Sequence, residues 1–479
     1  MNRIKLFIEN FYIYGFIAIV QKLVPVILLP VITHLLPNSS DFGVYDTFTT
    51  MVLFLSGIVT LGVYNSLFRE FFDMDTQEHK YNVTRTATVI SFTNTVIVCV
   101  GILCCMKYLN FIFPKDANHI IIAFMLVTAL SIYVVTDILR IIIRVKNQRK
   151  VALISGLLGA SLEKIIAVGL ILIGFSFYGL IFAGIVANIF VLTYLWKING
   201  VYLKNGNFDR ELAIKMLKFG LPLVPVIITF WVNNSMNRFF ILYFFGFSAE
   251  GFSQVGIFGV GARLALISNF IHGAMSAGWG YFLYSVMNHE DFKEMMSKLF
   301  CLMVAACSVF YFVLFLLKDI IFNLLFSGEY VKGVVVFPYL LMAPLFLVFT
   351  TILEGNVYVK RKTYYSTIIY GIGCVVNICL CLILIPKHGI VGAAIGTCAG
   401  FFTSFLLYFI VSVVIKKYIV LDISGKFLIL SFITLFVFVN YFGLNYLTVL
   451  LIICYIITIF FLYFKQGLII YKRWRGKNT

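Results

Sequence analysis

Long apolar stretches recur from one end of the sequence to the other. A helix rises about 1.5 Å per residue, so about 20 apolar residues cross the roughly 30 Å of hydrocarbon in a bilayer. Hydrophobic residues make up 62% of the 479 residues and charged residues only 12%, whereas soluble domains carry about 25% charged residues. The apolar runs are continuous and do not alternate, which excludes an outer-membrane barrel. The sequence therefore predicts an all-α polytopic membrane protein.

We predict fourteen transmembrane helices from these runs. They cover residues 11–36, 43–68, 83–106, 119–142, 151–174, 177–198, 221–245, 255–285, 299–320, 334–358, 364–385, 389–415, 427–445 and 447–464. The eighth span is longer than a bilayer requires, so we expect it to be tilted, or broken near Gly278 and Gly280.

The two halves of the chain resemble each other at a common offset. Residues 23–26 (LVPV) recur at 223–226, and a basic pair precedes a glycine-rich span in both halves, at 149–150 and 361–362. Six spans per repeat give both repeats the same orientation, as in transporters built from two parallel lobes.

This repeat predicts four segments along the chain. They are an N-terminal lobe over 1–198, a cytoplasmic linker over 199–220, a C-terminal lobe over 221–415, and two extra helices with a basic tail over 416–479.

The distribution of lysine and arginine predicts the orientation in the membrane. The net charge is +17. With the N-terminus inside, 28 of the 37 lysine and arginine residues fall in inner segments and five in outer loops. This asymmetry predicts cytoplasmic N- and C-termini. It also accounts for the net charge without a nucleic-acid partner, because no basic surface domain exists to bind one.

Besides Lys164, three basic residues lie inside predicted spans. A lysine or arginine at the middle of a span costs roughly 2.5–3.5 kcal/mol, so such a residue normally faces a wet cavity or a charged partner. Lys22 lies in span 1, Arg238 in span 7 and Arg263 in span 8. We predict that these cations line a substrate cavity. The alternatives are an interhelical salt bridge or a misplaced span boundary.

Polar residues within the spans extend this predicted cavity. Asp46, Thr50 and Thr60 lie on one stripe of span 2, and Asn234 and Ser235 share the face of Arg238. Two further acids, Glu163 and Glu354, join Asp46 as candidates for coupling to a proton or Na⁺ gradient. Neighbours along a helix do not face each other, so the sequence does not predict that Glu163 pairs with Lys164.

The sequence carries no signature of an enzyme. It has no Walker loop and no HExxH motif, and the ten cysteines lack metal spacing. We predict no catalytic residue, no metal site and no cofactor. The glycine-rich stretch 256–261 lies inside a span and is typical of helix packing.

Several stretches resemble the polysaccharide-transporter branch of the MOP exporter superfamily, the Wzx-type O-antigen flippases. They are 30–36 (PVITHLL) with 41–45 (DFGVY), 219–225 (FGLPLVP) with 234–241 (NSMNRFFI), and 384–394 (LIPKHGIVGAA). The family commonly places an acidic residue just before the span 7 arginine, where this chain has Asn237.

This resemblance implies a MATE-like fold in the bacterial inner membrane. It also implies a flippase that moves an undecaprenyl-diphosphate-linked oligosaccharide between leaflets by alternating access. Its partners would be membrane lipid and, functionally, the polysaccharide polymerase and chain-length machinery. Two alternatives stay open: a MATE-like multidrug or small-molecule exporter, and a membrane-embedded polysaccharide polymerase or acyltransferase.

Overall fold

The computed structural model describes residues 27–36, 38–74, 76–114, 117–286, 292–359, 364–416 and 418–476. Residues 27–35 are helical. The helices that follow are α1 (Ser39–Val59), α2 (Val63–Glu70), α3 (Gln77–Cys104), α4 (His119–Val145), α5 (Arg149–Leu172), α6 (Ser176–Asn199), α7 (Val201–Lys204), α8 (Arg210–Gly220), α9 (Val224–Ser235), α10 (Asn237–Phe245), α11 (Ala249–Ala265), α12 (Asn269–Val286), α13 (Phe292–Leu325), α14 (Phe337–Val359), α15 (Tyr364–His388), α16 (Ile390–Phe409), α17 (Ile423–Phe442) and α18 (Tyr446–Gly476). Throughout these ranges the chain is helical and forms no strand.

Twelve helices in the described ranges are long and apolar enough to cross a membrane. A thirteenth candidate combines Arg210–Leu223 with Ile227–Ser235, two pieces bent by 41°. Pro222 and Pro225 lie at this bend, where proline removes backbone donors. The predicted all-helical membrane fold is confirmed, and the predicted count of fourteen is approximate. Most of the predicted first span, 11–36, lies outside the described residues.

The predicted eighth span is interrupted, but at a different position from the one expected. A 3₁₀ turn over Leu266–Ser268 separates α11 from α12. The backbone around Gly278 and Gly280 is regular helix within α12, so the prediction of a break there is wrong.

The chain forms two compact units. The first contains Met1–Arg263, Phe326–Gly333 and Cys379–Ala393. The second contains Leu264–Leu325, Val334–Ile378 and Ala394–Thr479. The predicted lobe boundaries at 198 and 221 follow the sequence repeat, and they stay a prediction.

In the first unit, the short helix α2 is part of a buried apolar core. Val63 and Leu67 of α2 are fully buried with Ile142 of α4 and Leu195 of α6. Helix α1 ends just before this core because Leu61 and Gly62 have positive φ values of 46° and 69°. A Cβ atom at Gly62 would lie 2.3 Å from the carbonyl oxygen of Gly220. The close approach of these two backbones therefore requires glycine.

Helices α1 and α11 cross at van der Waals contact between their backbones. A Cβ atom at Gly43 would lie 1.8 Å from the carbonyl oxygen of Phe252, and one at Gly256 would lie 2.0 Å from that of Ser39. Small residues at such crossings let membrane helices pack closely. The glycine-rich stretch 256–261 thus serves helix packing, as expected.

The core of the second unit is aromatic. Phe346 stacks on Phe405 with ring centroids 5.6 Å apart, and Phe349 meets Phe432 edge to face at 6.2 Å. Tyr311 is fully buried and accepts a hydrogen bond of 2.7 Å from Asn440 on α17. Aromatic packing and interhelical hydrogen bonds are the attractions that hold helices together where lipid replaces water.

The α1–α11 crossing predicts opposite effects for two glycine-to-alanine changes. Gly43→Ala should destabilise the protein by about 1–3 kcal/mol because the added methyl group collides with backbone. Gly184→Ala on α6 should be neutral or stabilising by up to about 1 kcal/mol, because a Cβ atom there meets nothing within 4 Å. Thermal unfolding of the two purified variants in detergent measures the difference. Equal melting temperatures would contradict the described crossing.

Candidate functional site

A single buried carboxylate joins the two arginines that the sequence placed inside spans. Asp46 on α1 accepts a hydrogen bond on Oδ2 from Nε of Arg238 at 3.0 Å. Its Oδ1 accepts one from Nη2 of Arg263 at 2.9 Å. The carboxylate therefore bridges α10 and α11, and both of its oxygens are occupied.

A glycine on α11 leaves room for the Asp46 carboxylate. A Cβ atom at Gly259 would lie 3.0 Å from Oδ2 of Asp46, so glycine at this position lets the carboxylate lie against α11. Residues 256 and 259 are three apart and lie on one face of the helix. The same face therefore provides both the close crossing and the space for the acid.

Aromatic rings surround the two guanidinium groups. Cζ of Arg263 lies 4.7 Å from the ring centroid of Phe42 and 4.9 Å from that of Tyr45. Cζ of Arg238 lies 5.2 Å from the ring centroid of Phe258. Guanidinium groups are attracted to ring faces at such distances, so these side chains hold the arginines in place without neutralising them.

A second ion pair adjoins this bridge through Tyr45. Nζ of Lys164 lies 2.7 Å from Oε1 of Glu163, and the Tyr45 hydroxyl donates a hydrogen bond of 2.8 Å to the same oxygen. The sequence did not predict this pair between adjacent residues. Both side chains turn toward Tyr45, and the long lysine side chain closes the distance between adjacent positions.

We define the Asp46 cluster as Asp46, Arg238, Arg263, Glu163 and Lys164. Three cations and two carboxylates give it a net charge of +1. The Arg238 side chain is 11% exposed and that of Arg263 is 23% exposed. Part of the Arg263 side chain thus remains accessible, and the net positive charge suits the cluster to binding an oxyanion.

Three other residues predicted to line the substrate cavity lie on α1 and α9, and they differ in burial and in hydrogen bonding. Thr50 is buried, and its carbonyl oxygen accepts a hydrogen bond from the Trp231 indole at 3.2 Å. Asn234 is exposed, and its backbone carbonyl accepts a hydrogen bond of 2.7 Å from Nη1 of Arg238. Ser235 is partly buried. Among the side chains of the Asp46 cluster, Arg238 thus bonds directly to the backbone of Asn234.

Three predicted residues remain to be described. Lys22 lies outside the described residues. Thr60 is buried and donates to the carbonyl oxygen of Gly57 at 3.1 Å. Glu354 belongs to the second unit, where its Oε2 accepts a hydrogen bond from the Tyr370 hydroxyl at 2.9 Å.

The sequence analysis missed the polar contacts at the start of α1. The Ser39 hydroxyl donates to Oε2 of Glu329 at 2.6 Å, and the Ser253 hydroxyl does so at 3.3 Å. The Ser39 hydrogen bond lowers the pKa of the Glu329 carboxyl, which lies outside the spanning helices. No local pattern links these residues, since more than 200 positions separate Ser39 from Ser253.

The bridge predicts that Asp46 stabilises the fold by neutralising buried charge. Asp46→Asn should lower stability by about 3 kcal/mol, because it leaves two largely buried arginines without their counter-ion. Asp137→Asn is the matched control. The Asp137–Arg140 pair is 3.0 Å long with side chains 22% and 35% exposed, and such pairs contribute less than about 1 kcal/mol. Thermal unfolding in detergent measures both variants, and an equal loss in the two would contradict the buried bridge.

Comparison with known proteins places this cluster in context. Residues 31–258, which contain Asp46 and Arg238, match the family model described as "Polysaccharide biosynthesis protein". No curated protein sequence matches the chain at a significant level.

Solved structures share the fold at low sequence identity. The lipid II flippase MurJ in an inward closed conformation is 13% identical, with a TM-score of 0.66 over 97% of this chain and 99% of that chain. An inward-facing multidrug resistance MATE transporter is 14% identical, with a TM-score of 0.56 over 86% and 96% of the two chains. A MOP superfamily transporter from Pyrococcus furiosus, described as having a binding pocket of reverse polarity, is 14% identical, with a TM-score of 0.52 over 89% and 95%.

The family match covers the first half of the chain up to α11, and the shared fold covers nearly all of it. The solved structures, at 13–14% identity, show that this chain shares the fold of MurJ and of the MATE transporters.

Proposed function

We propose that this protein flips an undecaprenyl-diphosphate-linked oligosaccharide repeat unit, of an O-antigen or a related surface polysaccharide, across the bacterial inner membrane. The substrate moves from the cytoplasmic to the periplasmic leaflet by alternating access. The observation that carries the proposal is the Asp46 cluster, in which a buried carboxylate bridges Arg238 and Arg263 and the net charge is +1.

A diphosphate is the costliest part of such a substrate to move through hydrocarbon. Its charges lose water in a medium of low dielectric constant, where an unpaired ion is strongly disfavoured. Fixed guanidinium groups replace the lost water, and arginine binds phosphate oxygens with two parallel hydrogen bonds. The sugar can follow a wet cleft while the lipid tail stays in the bilayer.

In the proposed mechanism, Asp46 neutralises the two arginines while no substrate is bound. With no substrate bound, the carboxylate satisfies Arg238 and Arg263. An arriving diphosphate offers both arginines more negative charge than one carboxylate does, so it displaces Asp46 and exchanges one anionic partner for another. The arginines are never left unpaired, which keeps the exchange low in energy.

The comparisons support this substrate class without naming the sugar. The matched family is described by polysaccharide biosynthesis, and MurJ is described as a lipid II flippase. A MATE-like exporter is the second candidate because MATE transporters share the fold. The net positive charge of the Asp46 cluster disfavours cationic drugs as its substrates, since like charges repel.

Energy coupling and partners extend the proposal. We propose that a proton or Na⁺ gradient drives the cycle through Asp46, Glu163 or Glu354. Each of these acids lies in a spanning helix and contacts a cation or a tyrosine hydroxyl. The flipped product would pass to the polymerase and chain-length machinery on the periplasmic side.

Removing either cluster arginine tests the proposal in cells. Arg238→Gln and Arg263→Gln should each reduce surface glycan by about tenfold or more, since a charged hydrogen bond is worth about 1.5–3 kcal/mol. Lipid-linked repeat units should accumulate at the cytoplasmic leaflet. Glycan immunoblots and lipid extraction measure both effects, and the same assay applies to Lys22→Ala.

Lys150→Gln is the matched control, because Lys150 is an exposed cation on α5 outside the cluster. It should leave glycan levels unchanged while all variants reach the membrane in equal amounts. Normal glycan in both arginine variants would contradict the flippase proposal. Altered drug susceptibility with intact glycan would favour the exporter.

A further inference from the structure

A polar cavity lies in the first unit, apart from the Asp46 cluster. Its volume is about 450 Å³, within the roughly 300–1,000 Å³ typical of small-molecule sites. Ser56 and Thr60 near the end of α1 line one side, and Tyr64 of α2 adds a phenol ring. Helix α4 forms the other side. We call this the Arg144 cavity.

Four polar residues on one face of α4 line this cavity. Tyr133, Asp137, Arg140 and Arg144 all line it. Their spacing of four, three and four residues places them on one stripe of the helix. Packing two arginines against lipid or apolar side chains would cost free energy because their charges would lose water. The stripe therefore indicates a site that contains water.

The two arginines differ in how they are held. Nη1 of Arg140 donates a hydrogen bond of 3.0 Å to Oδ1 of Asp137, which fixes its guanidinium along the wall. Arg144 is exposed and forms no salt bridge with any residue in the described ranges. With Asp137 counted, the cavity keeps a net charge of +1, carried by an arginine whose donors are available to a ligand.

Hydroxyl groups complete the lining. The Tyr64 hydroxyl donates to the carbonyl oxygen of Val134 at 3.1 Å, which sets its ring against α4. The Tyr133 hydroxyl has no hydrogen-bond partner among the described residues. A second polar cavity of about 390 Å³ provides a contrast, because Glu294 and Asp422 there balance Lys293 and Lys298. The charge excess therefore distinguishes the Arg144 cavity.

We propose that the Arg144 cavity binds a phosphate ester, with Arg144 as the main ligand and Arg140 and Tyr133 as supporting donors. Arginine suits this role because its planar group matches phosphate oxygens in pairs. The site goes beyond the proposed function, which uses the Asp46 cluster. The basic end of α4 is predicted to face the cytoplasm, so the phosphate belongs either to a lipid headgroup of the inner leaflet or to a soluble phosphate compound.

Binding to the full-length protein in detergent tests this inference. The Arg263→Gln variant serves as the parent, so that the Asp46 cluster contributes little binding. Isothermal titration uses two probes, inorganic diphosphate and farnesyl diphosphate. Arg144→Gln should weaken binding of at least one probe about tenfold, the loss expected for one charged hydrogen-bonding group. Tighter binding of farnesyl diphosphate identifies a lipid as the source, and equal binding identifies a soluble phosphate.

Two further variants make the test specific. Arg144→Lys keeps the charge but loses the paired geometry, so it should bind with intermediate affinity. Lys150→Gln removes one exposed cation from the neighbouring helix and should bind like the parent. The inference is overturned if Arg144→Gln binds both probes like the parent, or if Lys150→Gln weakens binding equally. Because the assay measures binding alone, its result does not depend on whether the protein flips a glycolipid.

Discussion

The bridge from the Asp46 carboxylate to two arginines is the interaction on which the account of this protein depends. Two largely buried guanidinium groups are unfavourable unless an anion neutralises them. The chain supplies that anion on α1, and the glycines of α11 let it approach. The same cost of burying unpaired positive charge underlies our proposal that these arginines bind a phosphorylated lipid.

The Asp46 cluster differs from a simple structural salt bridge in its net charge. A structural pair needs balanced charge, whereas the Asp46 cluster keeps an excess of +1 and an arginine that is 23% exposed. The rings of Phe42 and Tyr45 contact the guanidinium group of that arginine. These ring contacts do not involve the anionic partner, as the proposed exchange mechanism requires.

The sequence predicts the helices well because membrane spans are local, and the continuous apolar runs alone define most of them. It also identifies Asp46, Arg238 and Arg263 one at a time, since each is a charge inside a span. It does not predict that they meet. Their contact depends on the close crossing at Gly43 and Gly256, which the apolar pattern does not encode. The interruption at 266–268 was missed for a related reason, because no proline or glycine marks it.

The most direct test of this account measures how tightly a polyprenyl-diphosphate-linked oligosaccharide binds to the purified wild-type protein and to Asp46→Asn. If the carboxylate occupies the place of the substrate on the arginines, its removal should tighten binding several-fold, because the ligand no longer competes with it. Binding should also restore the thermal stability that the variant loses. Unchanged or weaker binding by Asp46→Asn would show that the carboxylate does not compete with the substrate, and would contradict the exchange mechanism.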